Sequence, residues 1–143
     1  MKKQIIECVP NFSNGRDKSV IDNITNQIKL VEGVKLLSVE PGEATNRTVV
    51  TFVGEPEKVI KAAFLAIKKA SELIDMSKQT GEHPRMGATD VCPLIPISGI
   101  SMEETVSYAK KLGKRVGEEL KIPVYLYEDA STKPERKNLA NIR

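Results

Sequence analysis

The chain has 143 residues, 40% of them hydrophobic, which suits one domain that closes its core without disulfides or metals. A formal charge of +3, basic residues interleaved with acids, and an aromatic content of 4% argue against a nucleic-acid binder, whose surface gathers cations and interleaves them with aromatics. No run approaches the roughly 18 apolar residues of a membrane span, and the opening run Ile5-Ile6 is broken by Glu7, too early for a signal-peptide core. A cytoplasmic protein with neither a membrane nor a nucleic-acid partner is expected.

Ile5, Ile6, Cys8 and Val9 predict a short strand over residues 4–9, ended by Pro10 and the turn-rich Asn11-Phe12-Ser13-Asn14-Gly15. Val20, Ile21, Ile24, Ile28 and Val31 recur at helical spacing, and Gly33 stands near the end of that helix. Residues 34–39 read as a strand, residues 40–46 as a Pro-Gly loop, and the β-branched run at 48–53 as a second strand closed by Gly54. Pro56 suits a helix start, and Val59, Ile60, Ala63, Phe64, Ile67, Ala70 and Ile74 mark one apolar face of a long helix. A polar loop at 77–87 leads to residues 91–97, whose two prolines demote them to an edge or bulged strand. Ser101 followed by Glu104 is a capping-box signature for a helix through Val106, Ala109, Leu112 and Val116. A last strand at 123–127 precedes a polar tail. The order predicts an α/β sandwich, a mixed sheet covered by helices in a ferredoxin-like βαββαβ arrangement.

His83 is the one histidine, and it sits in the loop Gly81-Glu82-His83-Pro84-Arg85-Met86-Gly87. Loops on a rigid scaffold concentrate catalytic groups, and imidazole titrates near neutrality; a capping or solvated histidine explains the same residue. One histidine and two distant cysteines give no metal-ligand spacing, so no metal is expected. Cys8 and Cys92 lie in apolar stretches and read as two buried thiols rather than a bridge, with packing preferred over a nucleophilic role for Cys92. No glycine-rich phosphate loop occurs. The stretch from Glu40 to Arg47 gathers carboxylate, amide and guanidinium between two strands, as a site-lining loop or as an ordinary turn.

Cys8-Val9-Pro10-Asn11-Phe12-Ser13, Thr45-Asn46-Arg47-Thr48-Val49 with Phe52-Val53-Gly54, Leu73-Ile74-Asp75-Met76, the His83 loop and Asp90-Val91-Cys92-Pro93 together resemble the N-terminal subdomain of glutamate formiminotransferase, the transferase part of formiminotransferase-cyclodeaminase. The similarity runs through residues 4–127 in one order. It implies transfer of the formimino group from N-formimino-L-glutamate to N5 of tetrahydrofolate, a step of histidine breakdown, with tetrahydrofolate as co-substrate. It also implies His83 as general acid/base and a cation-stabilising carboxylate at Glu40, where the family usually has aspartate. Thr45, Asn46 and Arg47 are the candidate substrate contacts.

The family's transferase unit has a second subdomain, and the folate cleft lies between the two halves. The expected organisation is therefore a subdomain over residues 1–127 and a polar tail over 128–143, leading towards a C-terminal subdomain supplied in cis or in trans. A homodimer is compatible with the sequence. Two alternatives stand beside the transferase: a folate-binding or assembly half without turnover, and a formyl-group transferase using the same histidine.

Overall fold

The computed structural model describes residues 3–42, 44, 46–74 and 89–120. Strand β1 (Ile5–Cys8) stops where Pro10 withdraws a backbone donor, and the chain resumes pairing as β2 (Asn11–Phe12). Helix α1 (Lys18–Lys29) follows, then the hairpin of β3 (Val34–Gly42) and β4 (Arg47–Gly54), helix α2 (Pro56–Leu73), the short strands β5 (Thr89–Val91) and β6 (Leu94–Ser98), and helix α3 (Met102–Glu119). The expected strand at 91–97 is split because Pro93 breaks the ladder beside Pro10: Val9 N–H donates to the Pro93 carbonyl at 3.2 Å, and Val50 N–H donates to the Pro10 carbonyl at 3.0 Å.

β1 and β2 lie end to end along one edge of β4, β1 against Phe52 to Gly54 and β2 against Thr48 and Val49. β6 pairs with β1 and β5 with β2, while β3 covers the other edge of β4. Taking β1 with β2 and β5 with β6 as single interrupted strands, the sheet has the ferredoxin-like order expected from the sequence. Among the described residues every ladder is antiparallel, where a mixed sheet is expected. The reason is topological. The crossover from β1 to β3 does join parallel strands, but β4 lies between them and pairs with both in the opposite sense.

Strict alternation assigns the faces. Thr48, Val50, Phe52 and Gly54 of β4 and Ile6 and Cys8 of β1 are buried, whereas Arg47, Val49, Thr51, Val53, Ile5 and Glu7 between them are half-exposed. The buried face meets one helical layer, with α2 flanked by α1 and α3. Ile24 and Ile28 of α1, Val59, Ala63 and Ala70 of α2, and Leu112 and Val116 of α3 form one core with Ile6, Val50 and Phe52. The helices begin where their sequences direct: Asp17 accepts from Ser19 N and Val20 N, Pro56 opens α2, and Ser101 and Glu104 form the expected capping box. In α3 the buried positions are Thr105, Leu112 and Val116, and the Thr105 hydroxyl donates to the Ser101 carbonyl at 2.8 Å. Among the described residues, no helix is long and apolar enough to cross a membrane. The strand expected at 123–127 and the tail beyond it lie outside the described residues.

Phe52 has no exposed surface and touches the centre of this core. Phe52→Ala is expected to cost about 3–5 kcal/mol, and Ser101→Ala at the exposed cap of α3 about 1 kcal/mol. Urea titration of both variants checks the contrast, which disappears if Phe52 is not central.

Candidate functional site

The β3–β4 hairpin carries most of the residues singled out between positions 40 and 47, and a neighbouring loop holds it from beneath. Residues 13–17, between β2 and α1, are folded on themselves by Asn14, whose Oδ1 accepts from Arg16 N at 3.1 Å and Asp17 N at 2.9 Å. The Asn14 carbonyl accepts from the buried Thr48 hydroxyl at 2.6 Å, and Gly15 N donates to Asn46 Oδ1 at 2.9 Å. A Cβ on Gly15 would come within 2.3 Å of the Gly42 carbonyl oxygen, 2.4 Å of the Arg47 carbonyl oxygen and 2.7 Å of Arg47 N. Backbone therefore packs directly on backbone at the base of the hairpin, which only glycine permits. Asn46 turns the hairpin with φ of 51°, a left-handed conformation that asparagine tolerates better than most residues.

The register then sets which side chains share the open face. Glu40 is opposite Val49 and Gly42 opposite Arg47, so Glu40 and Arg47 are diagonal neighbours on the face away from the helices. Glu40 is exposed and Arg47 half-buried. Asn11 lies on the far side of Val49 in the same row, with Nδ2 donating to the Val9 carbonyl at 3.3 Å. β5 adds the next ribbon: Thr89 is opposite Phe12, which is opposite Thr48, which is opposite Pro41. The chain leaving position 88 thus joins the sheet level with Glu40 and Arg47.

Of the residues expected to form the site, Glu40 and Arg47 are brought to one face. Glu40 belongs to a strand, not to the loop expected at 40–46, because β3 continues pairing through Gly42. Asn46 is buried, and its amide oxygen is engaged by Gly15, so its visible task is to shape the turn beneath Arg47. Thr45 and His83 lie outside the described residues. In sequence, Asn14 and Gly15 carry only the signal of an ordinary turn before α1. Their contact partners lie some thirty residues away, as the Gly15–Asn46 separation of 31 shows, so no local signal marked them. Among the described residues, no three His, Cys, Asp or Glu side chains come together.

Gly15→Ala is expected to destabilise the fold by on the order of 1–3 kcal/mol, because the new methyl meets backbone rather than a flexible side chain. Denaturant unfolding checks it, and an unchanged midpoint would contradict the close approach.

Over residues 5–143 the chain matches the formiminotransferase domain, N-terminal subdomain. It is 53% identical over 140 residues to formimidoyltransferase-cyclodeaminase of Dictyostelium discoideum, a match covering 98% of this chain and 26% of that protein. It is 49% identical over 140 residues to glutamate formimidoyltransferase of Streptococcus pyogenes serotype M1, covering 98% of this chain and 47% of that protein. With glutamate formimidoyltransferase of Thermoplasma acidophilum it shares 52% identity over 139 residues, covering 97% of this chain and 46% of that protein. The chain spans about half the length of the single-function relatives and about a quarter of the two-function one. Matched along nearly its whole length, the chain belongs to the formiminotransferase family, within its N-terminal subdomain.

Proposed function

We propose that the chain is the N-terminal half of a cytoplasmic glutamate formimidoyltransferase, which moves the formimino group of N-formimino-L-glutamate to N5 of tetrahydrofolate in histidine degradation. The observation that carries this reading is the level of identity, about half of all positions across nearly the whole chain, with proteins named for that activity. The hairpin supports it independently, since an acid and a guanidinium share one open face.

In this reading the lone pair of folate N5 attacks the amidine carbon, forming a new C–N bond and a tetrahedral centre. His83 removes the N5 proton and returns one to the glutamate nitrogen, whose bond to carbon then breaks. Glu40 stabilises the cationic formimino group, and Arg47 holds a glutamate carboxylate. Thr45 adds a substrate contact, and Asn46 contributes through the turn that presents Arg47. The chain from position 83 to position 89 reaches at most about 20 Å, and two strand spacings separating β5 from β4 take roughly 10 Å. That reach is compatible with His83 serving the same substrate as Glu40 and Arg47. A C-terminal formiminotransferase subdomain, in cis or in trans, completes the folate cleft.

Assembled with such a subdomain, the chain is expected to convert the two substrates to glutamate and 5-formiminotetrahydrofolate; an assembled, folded protein that forms neither product contradicts the assignment. Arg47→Ala should raise KM for N-formimino-L-glutamate on the order of 10–100-fold, with a smaller effect on kcat. Glu40→Gln should lower kcat/KM by a similar order, whereas Glu40→Asp keeps the charge and most of the rate. Unchanged kinetics in Arg47→Ala and Glu40→Gln would remove the hairpin from the site.

A second reading is a binding half without turnover. Calorimetric binding of a folate by the chain, with no transfer in the assembled form, would select it.

A further inference from the structure

Neither cysteine has a part in the proposed reaction, yet the fold brings the two together. Cys8 ends β1 and Cys92 stands at the corner between β5 and β6, 84 residues later, with their Sγ atoms 3.4 Å apart. Both are free thiols, Cys8 fully buried and Cys92 half-buried. The backbone around them is fixed on both sides: Cys8 is opposite Leu94, and Val9 N–H donates to the Pro93 carbonyl at 3.2 Å. A covalent bond would need the sulfurs to approach by roughly a further 1.4 Å, a shift on the scale of a side-chain torsion.

We propose that Cys8 and Cys92 form an oxidisable dithiol, which a peroxide converts to an intramolecular disulfide stapling β1 to the β5–β6 corner. Cys92 is the less buried residue of the pair, and so the one placed to meet peroxide first. Its thiolate attacks a peroxide oxygen, an S–O bond forms, the O–O bond breaks, and hydroxide leaves as water after protonation. Cys8 Sγ then attacks Cys92 Sγ; the S–S bond forms, the S–O bond breaks, and the departing hydroxide takes the Cys8 proton as a second water. Two thiols and one hydrogen peroxide thus give one disulfide and two waters. Burial, reinforced by the hydrogen bond with Cys92 and by the nearby charge of Glu7, pushes the Cys8 thiol up, so Cys8 is not the sulfur that meets peroxide first; its place in the second step rests on its 3.4 Å approach to Cys92. The cross-link encloses α1, β3, β4 and α2 in one covalent loop, and closing so long a loop restricts the unfolded chain.

The test is mild hydrogen peroxide treatment of the reduced chain, followed by thiol titration in denaturant and non-reducing peptide mapping. The expected result is loss of both thiols, a peptide pair joined through Cys8 and Cys92 and lighter by about 2 Da than its reduced members, and a melting temperature raised in the oxidised form and restored by dithiothreitol. In Cys8→Ser, the sulfenic acid on Cys92 has no resolving partner and should be trapped by dimedone, while the parent chain gives little adduct. If Cys8→Ser does not fold, the parent chain decides alone. Survival of both thiols, or accumulation of oxidised Cys92 with Cys8 still reduced, would overturn the assignment.

Discussion

The contact on which the site rests is the packing of Gly15 against bare backbone at the base of the β3–β4 hairpin. Its missing side chain lets the loop at 13–17 reach the Gly42 carbonyl and both the N–H and carbonyl of Arg47. Asn46 completes the junction by accepting from Gly15 N while turning the chain through a left-handed conformation. Thr48 adds a buried hydroxyl bond to the Asn14 carbonyl, so the first residues of β4 are held from below as well as from the side. Once that junction is set, strand alternation places Arg47 and Glu40 on the same face, and no separate device is needed to orient them.

The sheet divides its labour between two faces. One buries Ile6, Cys8, Val50 and Phe52 under the three helices and supplies the rigidity. The other keeps Glu7, Asn11, Arg47 and Val49 half-exposed and Glu40 exposed, so its polar groups remain accessible. Pro10 and Pro93 interrupt neighbouring strands at the same level, which lets β2 and β5 form a separate short patch of sheet at the hairpin end.

Much of this was legible from local pattern. Period-3.6 burial with Pro56 at its head marked α2, the Ser101 and Glu104 pair marked the start of α3, and alternation marked β4. The misses have a common physical origin, because they depend on partners distant in sequence. Asn11 and Phe12 have no strand signal of their own and pair because β4 and β5 flank them. β3 outlasts its hydrophobic run because β4 continues to pair with Glu40, Pro41 and Gly42. The Gly15 junction and the meeting of Cys8 with Cys92 are likewise tertiary events. At the site, residue chemistry alone drew attention to the polar stretch at 40–47, but its division into a strand acid, a buried turn amide and a face-sharing arginine required the register. The weight placed on His83 came from the surrounding motif, since a histidine in a polar loop has ordinary explanations too.

In the proposed reaction everything turns on His83 as the proton carrier of formimino transfer. The direct measurement is the transfer rate of the His83→Ala variant in the assembled enzyme, with folding verified by an unchanged melting temperature. Loss of kcat by about 10²–10⁴-fold, with substrate binding retained, is the predicted result. Full turnover by the folded variant would contradict it.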